Sequence, residues 1–180
     1  MKSSLNLIIL VVITVFICGC PYESPYAIDV EPQQPIDESL LGKWAAVVPK
    51  PSDDKHSRED TVKIIFSKRT DMEYDVAITG LINELKPYKV IVNDSIKGIA
   101  FISNIGGKKF LNATIYSKVY IAALNQNAKS LSIICLSEHF TARYIKSTKA
   151  LKEAIGFHYR TRPMPMYDDW FVLKNLQRVK

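Results

Sequence analysis

The central part of the chain alternates apolar and polar side chains with a period of two. Apolar Val62, Ile64 and Phe66 are interleaved with polar Lys63 and Ser67. Successive side chains of an extended strand point to opposite faces, so this alternation predicts a strand with one buried and one solvated face. The same alternation resumes after a short polar link, which predicts that the two strands form a hairpin.

Further short runs rich in Val, Ile, Phe and Tyr follow, and clusters of Asn, Asp, Ser and Gly separate them. These predicted strands cover residues 88–93, 97–103, 109–116, 118–125 and 130–136. Their regular spacing predicts an antiparallel meander. A meander of about eight strands that closes into a barrel leaves no exposed sheet edge, so we expect a mainly β protein built on such a barrel.

Two elements after the meander depart from the alternation. Ser147 or Thr148 is suited to cap a helix with one apolar side, and Gly156 is a suitable stop for it. The pattern then predicts a last strand over residues 170–179. We expect the C-terminal helix to lie as a lid or plug against one end of the barrel.

The N-terminus carries a different pattern. Lys2 is followed by an apolar stretch over residues 5–17, which is short for a membrane span and typical of a signal peptide. The stretch ends in Ile17-Cys18-Gly19-Cys20, which resembles the lipobox of bacterial lipoproteins. That resemblance implies cleavage before Cys20 and acylation of this cysteine, which anchors the protein on a membrane. The alternatives are an ordinary signal peptide cleaved nearby and an uncleaved anchor.

These features divide the chain into a lipoprotein signal peptide at residues 1–19, an acylated cysteine with a Pro-rich tether at 20–38, and one barrel domain at 39–180. The composition of the tether predicts a semi-extended segment that buries little surface. Pro21 stands where the lipobox resemblance implies an Asp for retention in the inner membrane. We therefore expect an exported, lipid-anchored envelope protein, on the outer membrane where the cell has two, facing the periplasm or the surface.

Charge and cysteine usage narrow the possible partners. Removing the signal peptide takes away one charged residue, Lys2, so the formal net charge falls from +6 by one, to +5. The remaining basic residues are scattered, which together with export argues against nucleic acid as a partner.

With Cys18 removed and Cys20 acylated, Cys135 is the last thiol, and an intramolecular disulfide is excluded. Its apolar neighbours predict a buried, inert thiol.

Gly42-Lys43-Trp44 lies just after the tether and opens the first predicted strand. This segment resembles the G-x-W signature of lipocalins and related calycins, and the order of strands, helix and last strand is also similar. The resemblance is to small bacterial lipocalin-like lipoproteins, and it implies a lipocalin-like barrel with Trp44 packed across one end. It further implies a basic side chain over the indole, with Arg178 as first choice and Arg143 as second. Gly42, Trp44 and Arg178 would then be structural residues.

Aromatic residues on the predicted strands are the candidates for ligand recognition. A barrel of about eight strands is just wide enough to be filled by side chains or to hold one small ligand. The candidates to line a ligand site are Tyr74, Tyr88, Phe101, Phe110, Tyr116 and Tyr120. The same residues would serve equally well as packed core.

The sequence names no residues for catalysis or for a cofactor. His56, His139 and His158 do not share the spacing of a metal site, and nucleophile, phosphate-loop and dinucleotide motifs are missing. We therefore expect no metal, no cofactor and no enzymatic activity. The leading hypothesis is a barrel that binds a small apolar or amphipathic ligand in the cell envelope. The alternative is a filled barrel whose loops, at 52–60 and 157–169, bind an envelope protein or a glycan.

Overall fold

The computed structural model describes residues 23–48, 60–80, 95–127, 129–136, 145–161 and 167–179. Its elements are β1 (Glu23–Ser24), a 3₁₀ turn (Glu38–Leu40), β2 (Gly42–Val48), β3 (Asp60–Lys68), β4 (Tyr74–Thr79), β5 (Ile96–Ile105), β6 (Lys108–Ile115), β7 (Lys118–Gln126), β8 (Ser130–Leu136), helix α1 (Thr148–Thr161) and β9 (Tyr167–Val179). Among these residues, no helix has the length and apolar character needed to cross a bilayer. The predicted signal peptide, Cys20 and the predicted strand at 88–93 lie outside the described residues.

Strands β2 to β9 form one closed antiparallel barrel. Each strand pairs with the next along the chain, and β9 also pairs with β2, with Trp44 opposite Arg178. The predicted fold class, a mainly β antiparallel meander closed into a barrel of eight strands, is confirmed. In the described part of the chain, seven barrel strands precede α1, and β9 is the eighth. The short strand β1 is an addition that pairs with β7.

The two ends of the barrel carry different connections, and we name each end after a residue. The Trp44 end carries the start of β2 and the links from β3 to β4, β5 to β6 and β7 to β8. The Tyr116 end carries the turn between β6 and β7 and the starts of β3, β5 and β9. Gly106 and Gly107 at the first end, and Tyr116 and Ser117 at the second, all have positive φ. This conformation suits two-residue hairpin turns.

Side chains that point into the barrel form the main hydrophobic core. Strand pairing fixes the faces, because Leu111 lies opposite both Ile102 and Ala122, and Ala122 lies opposite Cys135. The buried members of this core are Leu40, Trp44, Val62, Ile64, Phe66, Tyr74, Val76, Ala100, Ile102, Leu111, Ala122, Leu124, Leu131, Ile133 and Leu176. The apolar positions of the period-two pattern are therefore the interior of the barrel.

Helix α1 packs on the outside of the barrel wall. Its buried residues Leu151 and Ile155 belong to a second core with Phe110, Ile121 and Leu136. These strand residues alternate with members of the main core, so they lie on the outer face. The prediction that the helix closes one end as a lid or plug is therefore wrong. The outer face of β6, β7 and β8 is itself apolar, and the helix covers it.

The helix begins where the sequence predicted and extends beyond its predicted stop. Ser147 Oγ accepts a hydrogen bond from the Ala150 N–H at 3.1 Å, so Ser147 is the cap. The helix continues through Gly156 to Thr161. A Cβ on Gly156 would lie 3.4 Å from Ile105 Cγ2, so this glycine allows a close approach of the helix to β5 and does not end the helix.

The segment before the barrel packs against it from Glu23 onward. Ile28 is fully buried in the second core, and its N–H donates a hydrogen bond to Asn112 Oδ1 at 2.7 Å. Asp29 forms an ion pair with Lys152 of α1 at 2.5 Å. The prediction of a tether that buries little surface is therefore wrong for residues 23–38, because long-range contacts hold this polar segment on the barrel.

Candidate functional site

The half of the interior at the Trp44 end is filled by large side chains. Trp44, Phe66 and Tyr74 are each 1 % exposed or less, and Leu40 of the 3₁₀ turn is buried in the same core. The rings of Phe66 and Tyr74 meet edge to face, with centroids 5.8 Å apart. In a barrel of this size, side chains packed in this way occupy the volume that a ligand would need.

Trp44 closes this end together with Arg178. The indole Nε1 donates a hydrogen bond to Leu40 O at 2.8 Å, and the guanidinium carbon of Arg178 lies 4.9 Å from the centroid of the indole ring. Arg178 also donates a hydrogen bond to Ser39 O. A planar guanidinium stacks on a ring and still donates hydrogen bonds in its own plane, so one side chain ties β9 to both β2 and the 3₁₀ turn.

The structure also places the other residues that the lipocalin resemblance named. Gly42 has a φ of +118°, which a residue with a side chain rarely adopts, and it turns the chain from the 3₁₀ turn into β2. Gly42, Trp44 and Arg178 are therefore together at one end of the barrel. Arg143, the second choice for the basic residue, lies outside the described residues.

Tyr74 uses its polar tip for the backbone of the segment before the barrel. Its Oη accepts a hydrogen bond from the Asp37 N–H at 2.5 Å and lies 3.3 Å from Asp37 O. Burial raises the pKa of Tyr74 to about 12, so the phenol stays protonated across the physiological range. Tyr74 therefore holds the Trp44 end closed.

Asp37 links the same segment to β6. Its carboxylate accepts hydrogen bonds from Lys109 Nζ and from the Ser39 N–H, the second at 3.0 Å. Partial burial raises the pKa of Asp37, but the hydrogen bonds from Lys109 and Ser39 outweigh burial and hold the pKa below its ordinary value of 3.8. The charged carboxylate therefore fixes the 3₁₀ turn that carries Leu40 into the interior.

At the Tyr116 end, several inner-face side chains are only partly buried, whereas Val62 and Ile96 on the same face are buried. The partly buried residues are Ala46, Ile78, Ala113, Tyr120 and Cys135. Each lies two residues along its strand from a buried member of the main core, so alternation places all of them on the inner face. Because the inner face of a barrel is concave, we infer that these partly exposed residues line a recess, and we call this set the apolar recess.

The partly exposed inner-face residues include three small side chains. Ala46, Ala113 and Cys135 are small, whereas Trp44 and Tyr74 at the other end are large and buried. Small side chains on converging strands leave volume unfilled, and pockets for apolar ligands form in such places. The arrangement can accommodate an apolar group, and it presents few polar atoms to orient one.

Of the six aromatic residues predicted to line a ligand site, five are described, and two of these point into the barrel. Tyr120 belongs to the apolar recess, and Tyr74 belongs to the packed half. Tyr88 lies outside the described residues. Among the described members of this predicted set, Tyr120 alone is therefore in the recess.

The other three aromatic residues do not line the interior, and their prediction as ligand-lining is wrong. Phe110 lies in the core beneath α1. Phe101 is opposite Asn112, an outer-face residue, and Tyr116 is in a turn and 55 % exposed. The prediction used the residue type of the strand aromatics and did not assign them to the inner or outer face. The alternation of odd and even positions along each predicted strand is the signal that identifies small inner-face residues such as Ala113.

A polar depression of about 710 Å³ opens at the Trp44 end. Its lining is mostly polar: Asp37, Ser39, Lys108, Lys109, Asn125, Gln126, Asn127, Ser130, Ser132, Asn175 and Arg178, together with Trp44, Gly107 and Leu124. The ligand-binding hypothesis predicts an apolar cavity inside the barrel. This depression differs from such a cavity, because its walls offer hydrogen bonds and charge.

Metal ligands are not gathered at either end: within the residues that the structure covers, no three His, Cys, Asp or Glu side chains could jointly hold an ion. No protein-family model, curated protein or solved structure matches the chain. The resemblance to lipocalins therefore rests on the Gly42 and Trp44 motif and on the closed barrel.

Proposed function

We propose that this chain is an exported, lipid-anchored lipocalin-like protein whose barrel holds a small apolar or amphipathic ligand in the apolar recess. The observation that carries the proposal is the contrast within the interior. Large side chains fill the Trp44 end, whereas Ala46, Ala113 and Cys135 at the Tyr116 end are small and partly exposed. An eight-stranded barrel is just wide enough to hold one small ligand, so we propose a single acyl chain or a compact hydrophobic molecule.

The N-terminal sequence supports the anchor and the location in the cell envelope. Residues 5–17 form the apolar part of a signal peptide, and the segment ending at Cys20 has the residue types of a lipobox. We propose the outer membrane as the site, because Pro21 follows the modified cysteine. Mass spectrometry of the mature N-terminus tests this part: a diacylglyceryl cysteine is expected at position 20, and a free thiol there would refute it.

The proposal includes no reaction. The proposed role is binding, in which the recess shields an apolar group from water.

Fluorescence titration with 11-(dansylamino)undecanoic acid tests the ligand site. A chain beginning at Pro21 retains every described element and is free of acyl chains. Ala113→Leu places a larger side chain in the recess and is expected to weaken probe binding at least tenfold. Ala77→Leu adds the same side chain to the outer face of β4 and is the matched control. Equal binding by the two variants, or no binding by the parent chain, would contradict the proposal.

The polar depression favours a second candidate function, the binding of an envelope protein or a glycan at the Trp44 end. Asn125→Trp would fill part of this depression and leave the recess unchanged. A specific partner captured from an envelope extract by the parent chain and by Ala113→Leu, but not by Asn125→Trp, would favour this function over ligand binding.

A further inference from the structure

The chain joins the barrel at the Tyr116 end. In β1, Glu23 pairs with Tyr120 and Ser24 pairs with Val119, both near the start of β7. The carboxylate of Glu23 also accepts a hydrogen bond from Lys118 Nζ at 2.6 Å. The first described residues of the chain are therefore fixed beside the turn that contains Tyr116.

The distance from this point to the acylated cysteine is short. Three peptide links separate Cys20 from Glu23, and a fully extended chain spans at most about 3.6 Å per residue, so their Cα atoms lie within about 11 Å. Glu23 pairs with Tyr120, and six residue steps along β7 lead from Tyr120 to Gln126 at the Trp44 end, a distance of about 20 Å. A strand tilt of about 40° makes this about 16 Å along the barrel axis, so Cys20 falls short of the Trp44 end.

Contacts at successive points hold the segment against the barrel wall. After β1, Ile28 is buried beneath α1, Asp29 is paired with Lys152, and Asp37 is paired with Lys109. The segment therefore runs along the outer wall from the Tyr116 end to the Trp44 end, with burial and ion pairs at successive points. Only the residues before Glu23 are available as a linker.

Two described residues at the Tyr116 end, Tyr116 and Lys97, suit a lipid headgroup region. Tyr116 is 55 % exposed, and its turn presents it beyond the ends of β6 and β7. Tyrosine is enriched at membrane interfaces because its ring is apolar and its hydroxyl is polar. Lys97, near the start of β5, is exposed at the same end and adds positive charge that anionic lipids attract.

We propose that the Tyr116 end is a membrane-docking surface, held against the phospholipid bilayer that carries the Cys20 acyl chains. The apolar recess then opens toward lipid, and its ligand is an acyl-chain molecule taken from or delivered to that bilayer. This inference rests on the anchor in the proposed function, and adds the orientation of the barrel and the source of the ligand.

The orientation is tested on full-length protein that is acylated in cells and reconstituted into vesicles of phosphatidylcholine and phosphatidylglycerol. In a Cys135→Ala background, single cysteines are labelled with an environment-sensitive fluorophore at Ser117→Cys, Lys97→Cys or Lys129→Cys. The first two lie at the Tyr116 end and the third lies between β7 and β8 at the Trp44 end. Quenching by headgroup-nitroxide lipid is expected to be at least threefold stronger for the first two labels.

The outcomes separate this inference from the proposed function. Mass spectrometry and flotation with vesicles first establish acylation and binding. Equal quenching at both ends of an acylated, vesicle-bound protein overturns the orientation and leaves the anchor intact. A product without acyl chains overturns the anchor and the inference with it. Two labels at the Tyr116 end guard against misfolding of one variant, and circular dichroism checks each.

A longer linker is the matched control. Inserting about twelve Gly and Ser residues between Pro21 and Tyr22 adds a flexible reach of roughly 20 Å and leaves β1 unchanged. The difference in quenching between the two ends is expected to fall below twofold. A difference that survives the insertion overturns the argument that the short linker sets the orientation.

Discussion

The two halves of the barrel interior are built on the same strands and differ in what fills them. At the Trp44 end, Trp44, Phe66 and Tyr74 pack with Leu40 to near-complete burial. At the Tyr116 end, several inner positions are partly exposed and include alanine and cysteine, as at Ala113. One end of the barrel therefore supplies most of the large buried side chains, while the other end keeps partly exposed inner positions, where we propose that a ligand binds.

The packed half also has the contacts that close it. Arg178 stacks on Trp44 and bonds to Ser39 O, and Asp37 bonds to Lys109 and, through its backbone, to Tyr74. These polar contacts hold the 3₁₀ turn in place over the end of the barrel. Burial of large side chains and closure by a polar network thus occur together at the Trp44 end. Substitutions in this half should therefore lower the free energy of unfolding more than substitutions in the half at the Tyr116 end.

The largest expected effect is the loss of Trp44. Trp44→Ala removes a buried indole from a core that cannot fully collapse around the gap, and should lower the free energy of unfolding by about 3–5 kcal/mol. Ile78→Ala in the apolar recess should cost about 2 kcal/mol or less, because Ile78 is partly exposed in the folded state. Urea denaturation of both variants measures the difference. Equal losses would mean that the two halves are packed alike.

An intermediate effect is expected for enlarging facing alanines. Ala100 and Ala113 lie opposite each other on β5 and β6, but Ala100 is fully buried and Ala113 is partly exposed. Ala100→Leu should overpack the core and cost about 1–3 kcal/mol, whereas Ala113→Leu should cost less than about 1 kcal/mol. Thermal and urea unfolding test this pair. A larger loss for Ala113→Leu would show that the recess is not available volume.

The smallest expected effect is the pH dependence due to Asp37. Its pKa in the folded protein lies below the ordinary value of 3.8, so the unfolded chain binds more protons as the pH falls. The stabilisation by this carboxylate is complete well above pH 3.8 and is lost as the pH falls through the lower, folded pKa. Asp37→Asn should be less stable at neutral pH and should lose less stability on acidification.

The measurement is the urea midpoint of parent and variant at neutral pH and near pH 3, with Glu38→Gln as the control. Glu38 is the next carboxylate along the chain and is exposed. An acid response that is the same in Asp37→Asn as in the parent would show that Asp37 does not couple the 3₁₀ turn to the barrel through its charge.

Much of the architecture was predictable from local pattern. The alternation through Val62, Ile64 and Phe66 identified the inner face of β3, and the glycines at 106 and 107 mark a hairpin turn. Ser147 capped the helix as expected. The candidate site was less predictable. Residue type alone predicts that the strand aromatics line a ligand site. Alternation along the strand and strand pairing are needed to distinguish Phe110, which faces α1, from Tyr120, which faces the recess.

The sequence alone determined most of the described strands, the start of the helix and the class of the fold, because side-chain periodicity and capping act over a few residues. Only the tertiary structure decided where α1 packs, how the segment from Glu23 to Asp37 lies along the wall, and which end of the interior is filled. These features depend on contacts between residues far apart in the chain, such as Ile28 with Asn112. A local pattern shows that one face of a strand is apolar. Contacts between residues far apart in the chain decide which element covers that face.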